Sequence, residues 1–166
     1  MSDFDWSRFR VRIGINAPAE NLYKAWATRA GIEHWFLRLS EYRGGDGVLR
    51  KNDEPAEKGD SYLWRWHGWP DEVEEKGEIL DTNGKDLFAF RFGEAGNCTV
   101  RIYPEGTLTM VELVQDQIPV NAESMHNWHL GCKTGWTFYM ANLKSLFEGG
   151  LDLRNKDINL REVLNA

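Results

Sequence analysis

The sequence is poor in most of the features that commonly announce a function. It has only two cysteines, Cys98 and Cys132, and they match no zinc, cluster or thiol-redox spacing. Two reduced thiols in the cytoplasm are therefore expected. Basic residues are outnumbered, 20 Lys and Arg against 26 Asp and Glu, for a formal net charge of −6. Phosphate backbones are bound by basic faces, so the balance argues against a nucleic-acid partner. No apolar run approaches the roughly 20 residues of a membrane span. The N-terminal stretch MSDFDWSRFR has no apolar signal-peptide core, and a cytoplasmic chain is expected. Repeats, linkers and low-complexity segments are absent. The 166 residues read as one domain, with 151–166 as a polar surface tail. Nucleophile elbow, phosphate loop and catalytic triad patterns are missing too.

Aromatics, by contrast, are abundant, with eight tryptophans in the chain. Phe9, Val11, Ile13 and Ile15 alternate with Arg8, Arg10, Arg12 and Gly14, which predicts a half-buried first strand with a basic outer face. Pro18 suits the first turn of a helix bearing Leu22, Ala25 and Trp26. Thr28 can cap a second short helix that ends in Trp35 and Phe36. Residues 40–60 are broken by Gly44, Gly45 and Gly47 and carry no regular pattern. A meander of short strands follows. Tyr62, Trp64 and Trp66 share one face, and so do Phe88, Phe90 and Phe92. Asn83-Gly84 is a strong hairpin signal, and Pro104-Glu105-Gly106 joins the last two strands. No βαβ rhythm appears, which disfavours an α/β fold.

A long final helix is predicted from about Asn121 to about Glu148, stopped by Gly149. Met125, Trp128, Cys132, Trp136, Tyr139, Leu143 and Leu146 recur along it at helical spacing. Gly131 and Gly135 sit inside this helix, each costing about 1 kcal/mol relative to alanine. Either the helix is loosely packed, or its backbone closely approaches a neighbouring element or a ligand. Together these elements predict an α+β fold. A curved antiparallel sheet of six to seven strands wraps a long C-terminal helix, two short helices follow strand one, and a cavity is left between sheet and helix.

The candidate walls of that cavity are Trp35, Phe36, Trp64, Trp66, Phe88, Phe90, Met110, Trp128, His129, Cys132 and Trp136. Aromatic walls suit a planar or apolar ligand. The alternative is that these rings simply fill the core. His126, His129 and Cys132 follow at three-residue steps, but the outer pair is about 120° apart around the helix axis, so no metal site is expected. Titratable groups that could serve acid–base chemistry are His67, His129, Glu112, Arg65 and Arg91, with Glu112 either pointing inward or solvated on its strand. His34, beside Glu33, reads as a surface residue. The acidic run Asp71, Glu72, Glu74 and Glu75 reads as a solvated face, a docking edge or a cavity rim. Trp69, beside Pro70, reads as an exposed gate or partner contact.

A family resemblance rests on residues spread over nearly the whole chain. They are Ala17, Pro18, Ala25, Trp26, Trp35 and Phe36 in the helix–turn–helix, Gly77-Glu78-Ile79 in the meander, and Gly135, Trp136, Asn142, Leu143 and Gly149 to Arg154 at the end. In this order they resemble the SRPBCC or START-like superfamily. Within it, they are similar to the branch named after the C-terminal domain of the heat-shock-protein-90 ATPase activator. The resemblance implies a helix-grip fold. It also implies binding of lipids, sterols, polyketides or other apolar molecules, or action as a cyclase or as a co-chaperone in a stress response.

Three functions follow as expectations. The first is binding of a small apolar or aromatic ligand without catalysis or cofactor. The second is a protein-interaction domain acting on a chaperone ATPase. The third is a cyclase or hydrolase working in the same cavity.

Overall fold

In the computed structural model, residues 3–164 are described. Seven antiparallel strands form one sheet, in the order β1 (Phe9–Ile15), β7 (Leu108–Asp116), β6 (Asn97–Glu105), β5 (Leu87–Arg91), β4 (Glu74–Thr82), β3 (Ser61–Arg65) and β2 (Leu39–Arg43). Helices α1 (Ala19–Ala27) and α2 (Arg29–Trp35) follow β1. The final helix is built in three parts that run into one another: α3 (Ala122–Ser124), a π-helical stretch (Met125–Leu130) and α4 (Gly131–Phe147). This is the helix-grip arrangement expected from the pattern.

Period-two alternation sets the faces. Phe9 and Ile15 are buried on β1 while its arginines face out. On β7, Val111, Leu113 and Gln115 are buried, so Met110 and Glu112 lie on the outer face. Phe88 and Phe90 on β5, with Cys98, Val100 and Ile102 on β6, complete the inner surface.

Local signals explain the element ends. Thr28 accepts the Gly31 N–H at 3.0 Å and so caps α2. Asn121 accepts the Ser124 N–H at 2.9 Å and caps α3. Asn83 Oδ1 accepts the N–H groups of Lys85, Asp86 and Leu87, and so organises the β4–β5 turn. The β6–β7 hairpin differs from expectation. Pro104 and Glu105 remain in the strand, and the chain reverses at Gly106 (φ 61°) and Thr107. β2 is also unexpected. It occupies the start of the segment read as irregular, with Ser40 and Tyr42 buried. The rest of that segment is tied by Arg50, whose guanidinium reaches Asp60, Glu54 at 2.9 Å and Glu57 at 3.3 Å.

The polar tail is anchored to the body of the fold. Arg154 is 9% exposed. It donates to the carbonyls of Glu33 (2.9 Å), Leu37 (3.1 Å) and His34 (2.9 Å) at the end of α2. Those carbonyls are orphaned by the end of the helix, so the arginine acts as a C-terminal cap from a distance. Among the described residues no helix is long and apolar enough to cross a membrane.

Candidate functional site

The sheet–helix interface is closed at one end and open at the other. At the closed end, Trp26 and Trp35 pack edge to face at 4.6 Å. Trp35 donates its indole N–H to the Ala25 carbonyl at 2.8 Å, and Tyr42 donates its hydroxyl to Trp26 O at 3.0 Å. Asn142 donates to Trp35 O at 2.8 Å and accepts the Leu153 N–H at 2.8 Å. Trp26, Trp35, Tyr42, Trp64, Phe88 and Phe90 are completely buried.

The open end holds a pocket of about 420 Å³. Phe36, Trp66, Trp69 and Phe92 wall it from the α2–β3 corner and the end of β5. Asn127, Gly131, Cys132, Thr134, Gly135, Trp136 and Tyr139 wall it from the final helix. Val163 and Leu164 of the tail complete the rim. The volume falls within the range of small-molecule sites, and the wall is largely aromatic. Among the described residues its lining has no Asp, Glu, His, Lys or Arg side chain.

Trp136 is the fixed part of this wall. It donates its indole N–H to Gln115 Oε1 at 3.0 Å, and Gln115 in turn donates to the Ala95 carbonyl at 2.8 Å. Cys98 Sγ also points to Gln115 Oε1, at 3.4 Å. Buried Gln115 thus satisfies both its amide ends and holds the indole in one orientation. Phe36 packs on Trp136 at 5.0 Å and on Tyr139 at 4.8 Å, and Phe92 meets Trp136 at 5.5 Å. Burial pushes the Cys132 thiol up, and burial pushes the Cys98 thiol well up. Both thiols are therefore protonated at neutral pH and poor nucleophiles.

The two glycines look into this pocket. A Cβ at Gly135 would meet no atom within 4 Å, and one at Gly131 would meet only the His126 carbonyl at 3.6 Å. No neighbouring element packs against them, so close backbone packing does not explain them. A π-helical stretch abuts the same wall, a feature frequent at functional sites.

The eleven expected wall residues divide sharply. Phe36, Trp66, Cys132 and Trp136 line the pocket. Trp35, Trp64, Phe88 and Phe90 lie behind it in the packed core. Trp128 is half-buried against the core. His129 is buried under the N-terminal segment, ringed by Phe4, Trp6 and Phe9, with Nδ1 3.0 Å from the Trp6 carbonyl. Met110 corrects the expectation. The strand alternation that buries Val111 places it on the outer face, beside Gly14.

The acid–base candidates disperse as well. Glu112 is on the outer face, within 3.5 Å of Arg10 and 3.1 Å of the Tyr103 hydroxyl. Arg65 pairs with Glu74 at 2.9 Å, and Arg91 is exposed. His67 borders a separate polar depression with Arg38 and Lys156, and burial, followed by the nearby cations Arg154, Lys156 and Arg38, lowers its pKa. Among the described residues no group of three or more His, Cys, Asp or Glu could hold a metal ion. The reading of the sequence missed Phe92, Tyr139, Asn127 and Thr134. The first continues the Phe88–Phe90 face. The others share a helix face with Gly131 and Gly135, and that face marks the opening.

Comparison with known proteins places this geometry. Among solved structures, the protein SSP2350 from Staphylococcus saprophyticus superposes with a TM-score of 0.68 at 20% identity, covering 91% of this chain and 98% of that one. The Aha1 dimer from Colwellia psychrerythraea superposes at 0.63 and 16% identity, covering 86% and 97%. DynU16, a protein of the dynemicin biosynthetic locus, superposes at 0.64 and 17% identity, covering 90% of this chain and 50% of that one. At such identities these likenesses show the fold. A search of curated proteins gives no match. The family model for Activator of Hsp90 ATPase homolog 1-like protein matches residues 16–148. The chain belongs to that family.

Proposed function

We propose that this protein binds a small apolar or aromatic molecule in the open-end pocket, without catalysing a reaction on it. The observation that carries this reading is the pair of helix glycines, which face open space instead of a neighbour. Each weakens the helix by about 1 kcal/mol and, in return, keeps side chains out of the pocket. The aromatic wall offers large flat contact areas to an occupant. Among the described residues the wall has no acidic, histidine or basic side chain, which favours binding over cyclase or hydrolase chemistry. A cytoplasmic setting, with both thiols reduced, accords with this role.

The test is native mass spectrometry of freshly purified protein, followed by denaturing extraction. A retained small molecule is expected. An apo mass, together with no tryptophan quenching by a panel of lipids, flavonoids and polyketides below high micromolar, would sink the reading.

The family match favours a second role, as a co-chaperone-like domain that contacts a chaperone ATPase. Trp69 is 38% exposed at the pocket rim, next to Pro70 and Asp71, and such a surface suits a protein contact. Recovery of a chaperone from lysate with the wild type, and its loss with Trp69→Ala, is the expected outcome. An unchanged ATPase rate in its presence would count against this role.

A further inference from the structure

One acidic side chain on the concave face is not accounted for by the fold. Strand alternation splits the acidic run. Glu74 faces outward and pairs with Arg65 at 2.9 Å and Lys76 at 2.7 Å. Glu75 lies opposite Trp64 in register and shares its face with Ile79, which is fully buried. Its side chain is thereby turned to the interior, where it is half-buried.

The carboxylate adjoins one wall of the pocket. A Cβ built on Gly93 would fall 2.6 Å from Glu75 Oε1. Gly93 directly follows Phe92, a wall residue. The negative charge of Glu75 also acts on the Cys132 thiol in the opposite wall, where it adds to the upward shift that burial causes. Glu75 therefore lies next to Trp64 and Gly93, adjoining the pocket wall at Phe92 without itself lining the pocket.

No basic side chain meets it among the described ion pairs. Several sheltered carboxylates are held by arginines, Asp60 by Arg50, Glu112 by Arg10 and Arg12, and Asp152 by Arg154, while half-buried Glu33 accepts from Ser40 instead. Among the described residues, none of the ion pairs includes Glu75, and the charge nearest in effect is another acid, Glu94. Burial raises its carboxyl pKa, a hydrogen bond from the Lys76 backbone N–H opposes that shift, and Glu94 adds to it. An unpaired carboxylate in a sheltered site is costly unless something cationic meets it. The aromatic wall beside it carries no charge of its own, and aromatic faces attract cations.

We propose that the occupant of the pocket is an organic cation. It is a protonated amine on an aromatic or apolar body, with the ammonium paired to Glu75 and the body against Phe92, Trp66 and Trp136. This rests on the pocket being a ligand site, and it adds the charge that the ligand carries. The wall selects a flat body, and Glu75 selects the charge.

A matched pair of probes separates the two claims. Naphthylmethylamine and naphthylmethanol have the same ring and nearly the same size, and only the amine is charged at neutral pH. Titrated calorimetrically, the amine binds wild type about ten-fold more tightly than the alcohol. Glu75→Gln brings the amine to the level of the alcohol and leaves the alcohol unchanged, which also shows that the variant is folded. Glu94→Gln, an exposed neighbour, keeps the preference. Equal affinities in wild type overturn the inference while leaving the apolar pocket standing. A preference that survives Glu75→Gln, or vanishes in Glu94→Gln, overturns the assignment to Glu75. Failure of both probes to bind wild type overturns the inference together with the pocket reading.

Discussion

The two halves of the final helix meet one sheet in opposite ways. From Met140 to Leu143 the helix is core filler. Met140, Asn142 and Leu143 are fully buried, and Asn142 makes hydrogen bonds to Trp35, Leu153 and Asp152. From Asn127 to Gly135 the same helix is a wall. It turns through a π-helical stretch, shows two glycines to open space, and leaves Cys132 partly exposed. The first half gains stability through burial and satisfied polar groups. The second half gives up stability to keep space. Trp136 stands at the junction, buried on one side against Trp26 at 5.8 Å and facing the pocket on the other.

The contrast can be broken most strongly at the closed end. Trp35→Ala removes a ring packed against Trp26 and Phe36 and orphans the Ala25 carbonyl. Chemical denaturation should show a loss of about 3–5 kcal/mol. Trp66→Ala, in the half-buried pocket wall, should cost no more than about 1–2 kcal/mol. Equal losses at both sites would erase the distinction between the two ends.

Asn142→Ala is next. It leaves the Trp35 carbonyl and the Leu153 N–H without their buried partner. The expected cost is about 1–3 kcal/mol in the same assay.

Acid should loosen the tail. The Arg154 guanidinium, assisted by Lys156, holds the Asp152 carboxyl well below the usual carboxylate range. A depressed carboxyl stabilises the fold above its unfolded value of about 3.9 and loses that contribution as pH falls toward its folded value. Tail contacts should therefore weaken below about pH 4. Tryptophan emission should report this, because the tail residues Val163 and Leu164 border Trp66 and Trp69. Asp152→Asn should abolish that acid step, and an identical step in the variant would show that Asp152 is not its source.

The smallest effect is the sharpest. Gly135→Ala adds a Cβ that meets nothing within 4 Å, so it should stabilise the protein, by up to about 1 kcal/mol. A destabilisation would mean that the backbone there needs glycine for another reason.

Much of the fold was legible because it is written in alternation and caps. Arg8, Arg10 and Arg12 against Phe9, Val11 and Ile13 specify β1, while Thr28 and Asn121 mark helix starts that the hydrogen bonds bear out. β2 was hidden because one of its two inward residues is Ser40, a polar residue that weakens a hydrophobic period. The π-helical stretch was hidden because it spans only Met125–Leu130, too short a run to show a period of its own within the helical stripe. The site was only half legible. Ring counting could not separate wall from core, because Trp64 and Trp66 share a face yet one is fully buried and the other borders the pocket. The acidic run reads as a solvated face, a docking edge or a cavity rim as a whole, whereas strand period splits Glu74 from Glu75. The tail's role could not be read at all, since Arg154 recognises carbonyls of α2, and carbonyls carry no sequence signal.

The most direct measurement is the affinity of naphthylmethanol for wild type and for Gly135→Leu, with thermal stability followed in parallel. The leucine side chain would start in the open space that Gly135 leaves and project into the pocket. If the glycines keep a ligand site open, the variant loses binding while its melting temperature holds or rises. If the variant binds as wild type does, or fails to fold, the open end is not a ligand pocket held by glycine.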